Sequence, residues 1–584
     1  MEEKIDPFTV EIIKKSLKVA AEEMFYAFGR TAKSPVIYEV LDFAVGLTNA
    51  NGDLIAQAHG VPGFTGVLDY AARKVIDKWD GELSPGDVIV DNVPYESGTH
   101  LNDTTLSMPV FHKDELVALI VNKGHWSEIG GMHFGSWTPD ATEIYQEGLQ
   151  LPCIKLFHEG KADEDLITLI KTNSRLPAHT EGDLRAQAAS MRVARKRIHH
   201  LIEKYGYQKV RYSMQKLLED GKEYARLKLE SVPKGEFKAV DYIDDDGITD
   251  DPLKIQVKVT ISDEEFIADF TGSSEQGEGS LNSAFPATVS GVRVTYMGVT
   301  DPHMDPNGGF FSPIDVIAPE GTVFHPTPPA PTSTFWEATS FASDLVWKAL
   351  APHVPEKLSA GHFLSILATI LGGTDDKTGE AFSIVEPQPG GWGACYNRDG
   401  ESGLVACVDG ETYIAPVEIY ERNMPIMVDR YELNTEDGTG HGTYRGGFGV
   451  IRDYRVLNSK ANLSLSIGRS KYPPWGVKEG QHGSPNYAIV FKKGEEPRKV
   501  RKCSALEMER GDVVSIRPGS GGGWGPSVER DIELIKRDVK NDYITAKTAR
   551  EVYGVAIDPD TLEIDEDKTK RLREKLRMNQ SKTA

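Results

Sequence analysis

The sequence predicts an α+β fold of several packed subdomains, and three observations carry that prediction. Residues 1–232 mix helical periodicity with short hairpins, residues 233–525 alternate apolar and polar positions between frequent turns, and residues 526–584 return to helix. At 584 residues the chain is longer than one core usually organises, so two or three subdomains are expected.

The first element is a helix over Asp6 to Arg30. Val10, Ile13, Leu17, Ala20 and Ala21 share one face, and Asp6 before Pro7 is a cap followed by proline at the first helical position. Strands and turns fill roughly residues 36–125, interrupted by a helix at Gly66 to Lys78. Within this region Asn51-Gly52-Asp53 is a hairpin signal, with LIAQA as the return strand. A second hairpin pairs Met108–Phe111 with Leu116–Val121 around a turn near His112, Lys113 and Asp114. Helix is expected again at Asp163 to Thr172 and from Glu181 to Leu229, split near Tyr205–Tyr207. His199 and His200 lie there among Arg and Lys as solvated or packed helix residues. From about Pro233 the alternation reads as an antiparallel meander. The prolines of residues 318–331 form an extended connection into a helix near Thr334 to Leu350, and Ile414 to Tyr487 is turn-rich. Beyond Pro526 a helical pair leads to a charged, frayed terminus.

Composition excludes several function classes. A formal net charge of −22 argues against nucleic acid and against an anionic membrane face. No apolar run is long enough to span a bilayer, and the acidic start MEEKIDPFTV lacks a signal-peptide core, so a cytoplasmic protein is expected. Cys153, Cys395, Cys407 and Cys503 show no CxxC spacing, which points away from a zinc knuckle or a disulfide framework. Cys395, in GGWGACYNRDG, reads as a nucleophile or a small buried thiol. There is no GxxxxGK(S/T), and no strand followed by GxGxxG opening a helix; the glycine runs at 446–449 and 519–525 lie in strand-and-turn contexts. Nothing in the chain signals ATP or NAD binding of its own.

The chemistry concentrates between Gly98 and Gly131, in GTHLNDTT and NKGHWSEIGG. If the second hairpin pairs as expected, its polar ends bring His100, Asp103 and His125 to one point, with Glu128 behind. Two imidazoles and a carboxylate make a metal site with open positions, whereas each His taken alone is an ordinary turn residue. Asp42, set among Val40, Leu41, Phe43, Ala44 and Val45, is either a further ligand or a turn residue paired with Arg30 or Lys33.

These pieces, with DFAVGLTNANGDLIAQA, EIYQEGLQLP, NSRLPAHTEGDLRAQ, PTSTF, GHGTYRGGFG, GGGWGPSVERD and AREVYGV, resemble the hydantoinase B family across nearly the whole chain. That family holds the B-type subunits of ATP-dependent hydantoinases and lactamases, 5-oxoprolinase, and acetone and acetophenone carboxylases. By position, the resemblance puts the metal site on Asp42, His100, Asp103 and His125. The chain departs from the commoner HHADIGG form, with Trp126 and Glu128 where His and Asp are usual.

The resemblance implies a metal-containing subunit that completes a reaction begun elsewhere. An A-type subunit of ASKHA-like kinase fold, carrying ATP and magnesium, phosphorylates the substrate. The B-type chain, holding one divalent ion (zinc, iron or manganese), then hydrolyses a cyclic amide: a hydantoin, 5-oxoproline or another lactam. The alternatives are a ketone carboxylase subunit, which uses bicarbonate and an enol phosphate, and a non-catalytic scaffold for the A-type subunit. Glu128 is then an orienter or general base, and Arg175 and Arg445 are candidate clamps for phosphate or carboxylate, or members of structural ion pairs.

Overall fold

The computed structural model describes residues 6–583. The first helix runs Pro7–Thr31, and the Asp6 carboxylate accepts the Thr9 N–H at 3.0 Å, as its sequence demands. Its apolar face packs on the first sheet and on the long helix Pro177–Tyr205.

That sheet has seven strands: β1 (Phe43–Asn49), β2 (Leu54–Gln57), β3 (Val88–Asp91), β4 (Asp103–His112), β5 (Glu115–His125), β6 (Ile154–His158) and β7 (Lys161–Ala162). Their order is β2-β1-β5-β4-β3-β6-β7, every pair antiparallel. The β4–β5 hairpin pairs Met108 with Ile120 and Phe111 with Leu116, and turns at Lys113–Asp114 with Lys113 at φ 56°. It extends beyond the expected strands until Asp103 faces His125. In the β1–β2 turn the Asn49 amide donates to Asp53 at 2.9 Å and Gly52 takes φ 81°.

The helices expected at Gly66–Lys78 and Asp163–Thr172 are Leu68–Lys78 and Glu164–Thr172, the latter capped by Asp163. The long helical stretch divides at Gly206 (φ 88°) into Pro177–Tyr205 and Tyr207–Glu230. After it, β8 (Gly235–Ile243), β9 (Leu253–Ile261) and β10 (Phe266–Asp269) form the expected meander. A short β11 (Ile314–Ile317), not anticipated from the sequence, joins β10 in parallel. The Phe285–Val299 helix was also not anticipated. Its Thr, Val and Gly content disfavours helix, and burial against the Trp336–Leu350 helix overrides that preference.

The remaining strands are β12 (Ala368–Thr374), β13 (Ala381–Glu386), β14 (Ile426–Leu433), β15 (Val450–Val456), β16 (Lys460–Ser466), β17 (Tyr487–Phe491), β18 (Arg498–Val500), β19 (Lys502–Glu509) and β20 (Val513–Arg517). They form two antiparallel sheets, β13-β12-β16-β19 and β14-β15-β20-β17-β18, around one core; Leu371, Ile384 and Leu463 meet Ile426, Val456 and Ile516 there. The tail carries the helices Ile532–Lys540 and Ala546–Glu551, and a third, Glu566–Thr583, where the sequence suggested fraying. Among the described residues no helix is long and apolar enough to cross a membrane. The N-terminal core is not closed by its own segment alone, because Phe335, Trp336, Ile370 and Val385 complete it.

The glycine runs near 391, 446 and 521 stack backbone on backbone. The Gly447 N–H donates to Trp392 O at 2.9 Å and the Gly521 N–H to Gly447 O at 3.0 Å. A Cβ at Gly446 would stand 1.9 Å from the Gly521 carbonyl oxygen. Gly446→Ala should therefore cost more than about 3 kcal/mol in chemical denaturation, because backbone cannot move aside as a side chain can. At Gly494, where φ is 81° and a Cβ meets nothing within 4 Å, alanine should cost only about 1 kcal/mol. Equal losses at the two positions would contradict the backbone stacking.

Candidate metal centre

Strand register builds the site. Asp103 opens β4 opposite His125, which closes β5, and Phe43 of β1 pairs with Gly124 on the other side. Asp42, one residue before β1, therefore lies against His125, and its carbonyl accepts the His125 N–H at 3.1 Å. His100 sits in the turn before β4, where the Asp103 N–H donates back to its carbonyl at 3.1 Å. Asn102 fixes that turn, its amide donating to Trp126 O and Gly135 O at 2.9 Å each.

One carboxylate oxygen, Asp103 Oδ1, lies 3.0 Å from His100 Nε2 and 3.1 Å from His125 Nδ1. Asp42 Oδ2 is 3.7 Å from His125 Nδ1, and among the described residues it makes no ion pair with Arg30 or Lys33. His100, Asp103 and His125 each offer a ligand atom within 4.8 Å of the others, and all three side chains are buried. His125 Nε2 has no hydrogen-bond partner. The other Asp103 oxygen accepts from Thr99 Oγ1 at 2.5 Å, and the buried Lys123 ammonium donates to Asp103 O at 2.9 Å. Two imidazole nitrogens aimed at one carboxylate oxygen are a donor set that a divalent transition ion satisfies directly.

Burial dominates the electrostatics. It would raise Asp103, but His100 and His125 outweigh it and hold that carboxyl well below the usual carboxylate range. Burial pushes Asp42 well above its usual value, against the opposing pull of His125. It lowers His100, whereas at His125 the Asp103 hydrogen bond and Asp42 overcome it and raise the imidazole. Lys123, on the same strand face as His125, is pushed by burial down to about 8.

His100, His125 and Asp42 line one narrow cavity of about 50 Å³, large enough for a few water molecules. Its other walls include Val61, Gly63 and Phe64 just after β2, Trp137 soon after β5, and, from distant segments, Phe335, Trp336, Ile366, Val385, Glu386, Val408 and Asp409. The His100 and Phe335 ring centroids lie 5.3 Å apart with the rings tilted by 31°, and the Trp137 and Trp336 rings lie 4.4 Å apart. Both indole N–H groups are buried without a partner. Glu147 carries this wall: its buried carboxyl, pushed by burial to about 8, accepts the N–H groups of Thr332 at 2.7 Å and Ser333 at 2.6 Å. Sequence reasoning missed these wall residues. Only the PTSTF and EIYQEGLQLP pieces pointed toward them.

Glu128 is buried but does not join the cluster. Its carboxylate accepts the Gly130 N–H at 2.9 Å, the Gly135 N–H at 3.2 Å and the Ser136 hydroxyl, and pairs with Arg175 Nη1 at 3.0 Å. Arg175 also donates to Gly131 O at 2.6 Å and His133 O at 3.1 Å. The pair ties up the loop after His125. Trp126 points away from the site, its indole donating to Gln187 at 3.0 Å, so a second imidazole is not missed at that position. Arg445 lies elsewhere, 3.2 Å from Asp538 of the tail and over the rings of Phe448 and Tyr543.

The chain belongs to the hydantoinase B/oxoprolinase family, whose model matches residues 6–527. It is 31% identical over 593 residues to a protein of a Pseudomonas species, strain NS671, named as the B-type subunit of a D-/L-hydantoinase, covering 98% of each chain. It is 30% identical to the beta chain of the caprolactamase of Pseudomonas jessenii, covering 95% of this chain and 97% of that one. The crystal structure of that ATP-dependent caprolactamase superposes with a TM-score of 0.90 over 98% of this chain and 100% of the other, at 28% identity. The nucleotide-free acetone carboxylase structure shares the fold, with a TM-score of 0.91 over 99% of this chain and 84% of that one, at 19% identity.

Elemental analysis of the purified protein should find about one divalent transition ion per chain, lost when His100 and His125 are both replaced by alanine. Full retention of the ion in that double variant would remove the assignment.

Proposed function

We propose that this chain is the metal-binding B-type subunit of an ATP-dependent ring-opening amidohydrolase, acting on a cyclic amide that an A-type kinase-like partner has phosphorylated. One observation carries the reading: the His100–Asp103–His125 cluster opens into a cavity whose other walls are largely apolar and aromatic. Apolar walls beside a polar cluster have the character that a lactam's methylenes and reacting carbonyl require, and at about 50 Å³ the cavity must open to admit the ring. Relatives at about 30% identity bear the names of a hydantoinase and a caprolactamase, which favours cyclic amides over ketones. Both names designate one chain of a multi-chain enzyme, which speaks for a partner here, and the missing phosphate-binding signatures agree with ATP being handled there.

His100, Asp103 and His125, with Asp42 beside them, would hold a divalent ion of the zinc, iron or manganese kind. Bound there, the ion would supply Lewis acidity to a water or a substrate oxygen. The residues themselves divide the remaining work. Thr99 and Lys123 fix the Asp103 carboxylate and its backbone. Glu128 and Arg175 hold the loop after His125, and Glu147 holds the aromatic wall that excludes water from the ring.

Two outcomes are expected. The isolated chain should neither bind nor hydrolyse ATP, and calorimetry finding micromolar ATP affinity would contradict the division of labour. In a reconstituted pair, Asp103→Asn should lower ring opening by tenfold or more while ATP cleavage falls far less. Assaying phosphate and opened product together decides this, and a strictly proportional fall in both would place the ion in binding or assembly instead.

A further inference from the structure

Of the described side chains lining the cavity, three keep a buried polar atom without a hydrogen-bond partner: His125 at Nε2, Trp137 at Nε1 and Trp336 at Nε1. The first belongs to the metal-type cluster. The two indoles stand together beside it, 6% and 3% exposed, with ring centroids 4.4 Å apart. A buried N–H that has given up water and found no acceptor is costly. Two of them in one wall of a candidate reaction site point to a ligand that supplies the acceptor.

The pair is held firmly. The Thr138 N–H donates to Ser333 Oγ at 3.0 Å, which ties the residue after Trp137 to the segment leading into Trp336. The Asn102 amide donates to Gly135 O at 2.9 Å on one side, and on the other Glu147 accepts the N–H groups of Thr332 and Ser333. The Trp137 ring centroid lies 6.1 Å from that of His125, and the Trp336 ring centroid 5.9 Å from that of His100. A small ring whose reacting carbonyl meets the cluster therefore brings its next polar group to the indoles.

Charge decides which acceptor they suit. Asp42, Glu386 and Asp409 line the cavity, and among its described lining residues there is no Lys or Arg. Phosphoryl oxygens and carboxylates are held best by cationic donors. Two neutral indoles in a wall that carries carboxylates match a neutral oxygen instead, and a carbonyl has two lone pairs with which to accept.

We infer that Trp137 and Trp336 are specificity-determining donors that hold a second, unreactive carbonyl of the ring, an inference that rests on the ring-opening reading above. The site then selects cyclic ureides and imides over plain lactams. A plain lactam has one oxygen, which carries the phosphoryl group toward the His100–Asp103–His125 cluster, and it leaves both indole N–H groups buried and unmet. A site built around a hydrogen bond rejects the analogue that lacks the partner far more strongly than an apolar pocket rejects a change of one methylene.

The test uses the reconstituted pair with hydantoin and with 2-pyrrolidinone, five-membered rings of which only the first has a second carbonyl. The readout is opened product per ATP cleaved, which separates the step in this chain from phosphorylation. Trp137→Phe and Trp336→Phe keep an aromatic ring and remove the N–H. Each should lower that yield about tenfold with hydantoin and change it less than about threefold with 2-pyrrolidinone, with metal content unchanged. In wild type, 2-thiohydantoin, whose thiocarbonyl is a weak acceptor, should yield about tenfold less than hydantoin, a comparison that needs no variant to fold. Equal losses on both rings would put the indoles on a group the rings share, or make them packing alone, and would overturn the inference. Equal wild-type yields from hydantoin and 2-thiohydantoin would overturn it too. A wild-type pair that opens neither hydantoin nor 2-pyrrolidinone would overturn the ring-opening reading, and this inference with it.

Discussion

The pairing of Asp103 with His125 across the open end of the β4–β5 hairpin is the constraint on which the site depends. A strand slipped by one residue turns every side chain to the opposite face, so that register decides whether the imidazoles meet a carboxylate or the helix behind the sheet. Trp126 shows the other face, buried against Gln187. Placing Asp103, Lys123 and two histidines in the interior is costly unless each is satisfied. The structure meets that cost locally, through Thr99 on the free Asp103 oxygen and Lys123 on its carbonyl. The His125 Nε2 left without a partner is the residual, and it lies beside the cavity where chemistry is expected.

The cluster would be half a site without the distant wall. Phe335 and Trp336 approach His100 because Glu147 grips the backbone just before them, and Asp409 arrives on a turn tied to residue 40. Segments roughly two hundred to three hundred residues after the hairpin thus share one cavity with it. This joins the N-terminal part to the β-rich part chemically as well as by packing, and the N-terminal core includes Phe335, Trp336, Ile370 and Val385 for the same reason.

What was legible in the sequence was local. The two hairpins, the capped first helix and the break at Gly206 each follow from turn chemistry or periodicity within a few residues. That His100, Asp103 and His125 converge was legible because one hairpin brings all three to its open end, and Asp42 stood out as a carboxylate among apolar neighbours just before β1. Asp409, Trp137 and Trp336 gave no such signal, since only tertiary packing sets them facing the hairpin. The Phe285–Val299 helix was hidden by its β-branched residues, and the parallel strand β11 by the length of chain between it and β10. Arg445 was selected for its guanidinium, and its partner Asp538 lies in the tail, out of reach of any local pattern.

The most direct measurement is the X-ray absorption spectrum of the purified protein at the edge of whichever metal it carries. The account predicts a light-atom shell of nitrogen and oxygen with the outer-shell scattering of two imidazoles, reduced when His125 is replaced by alanine. A sulfur shell, or a spectrum without imidazole scattering, would contradict a centre built on His100, Asp103 and His125.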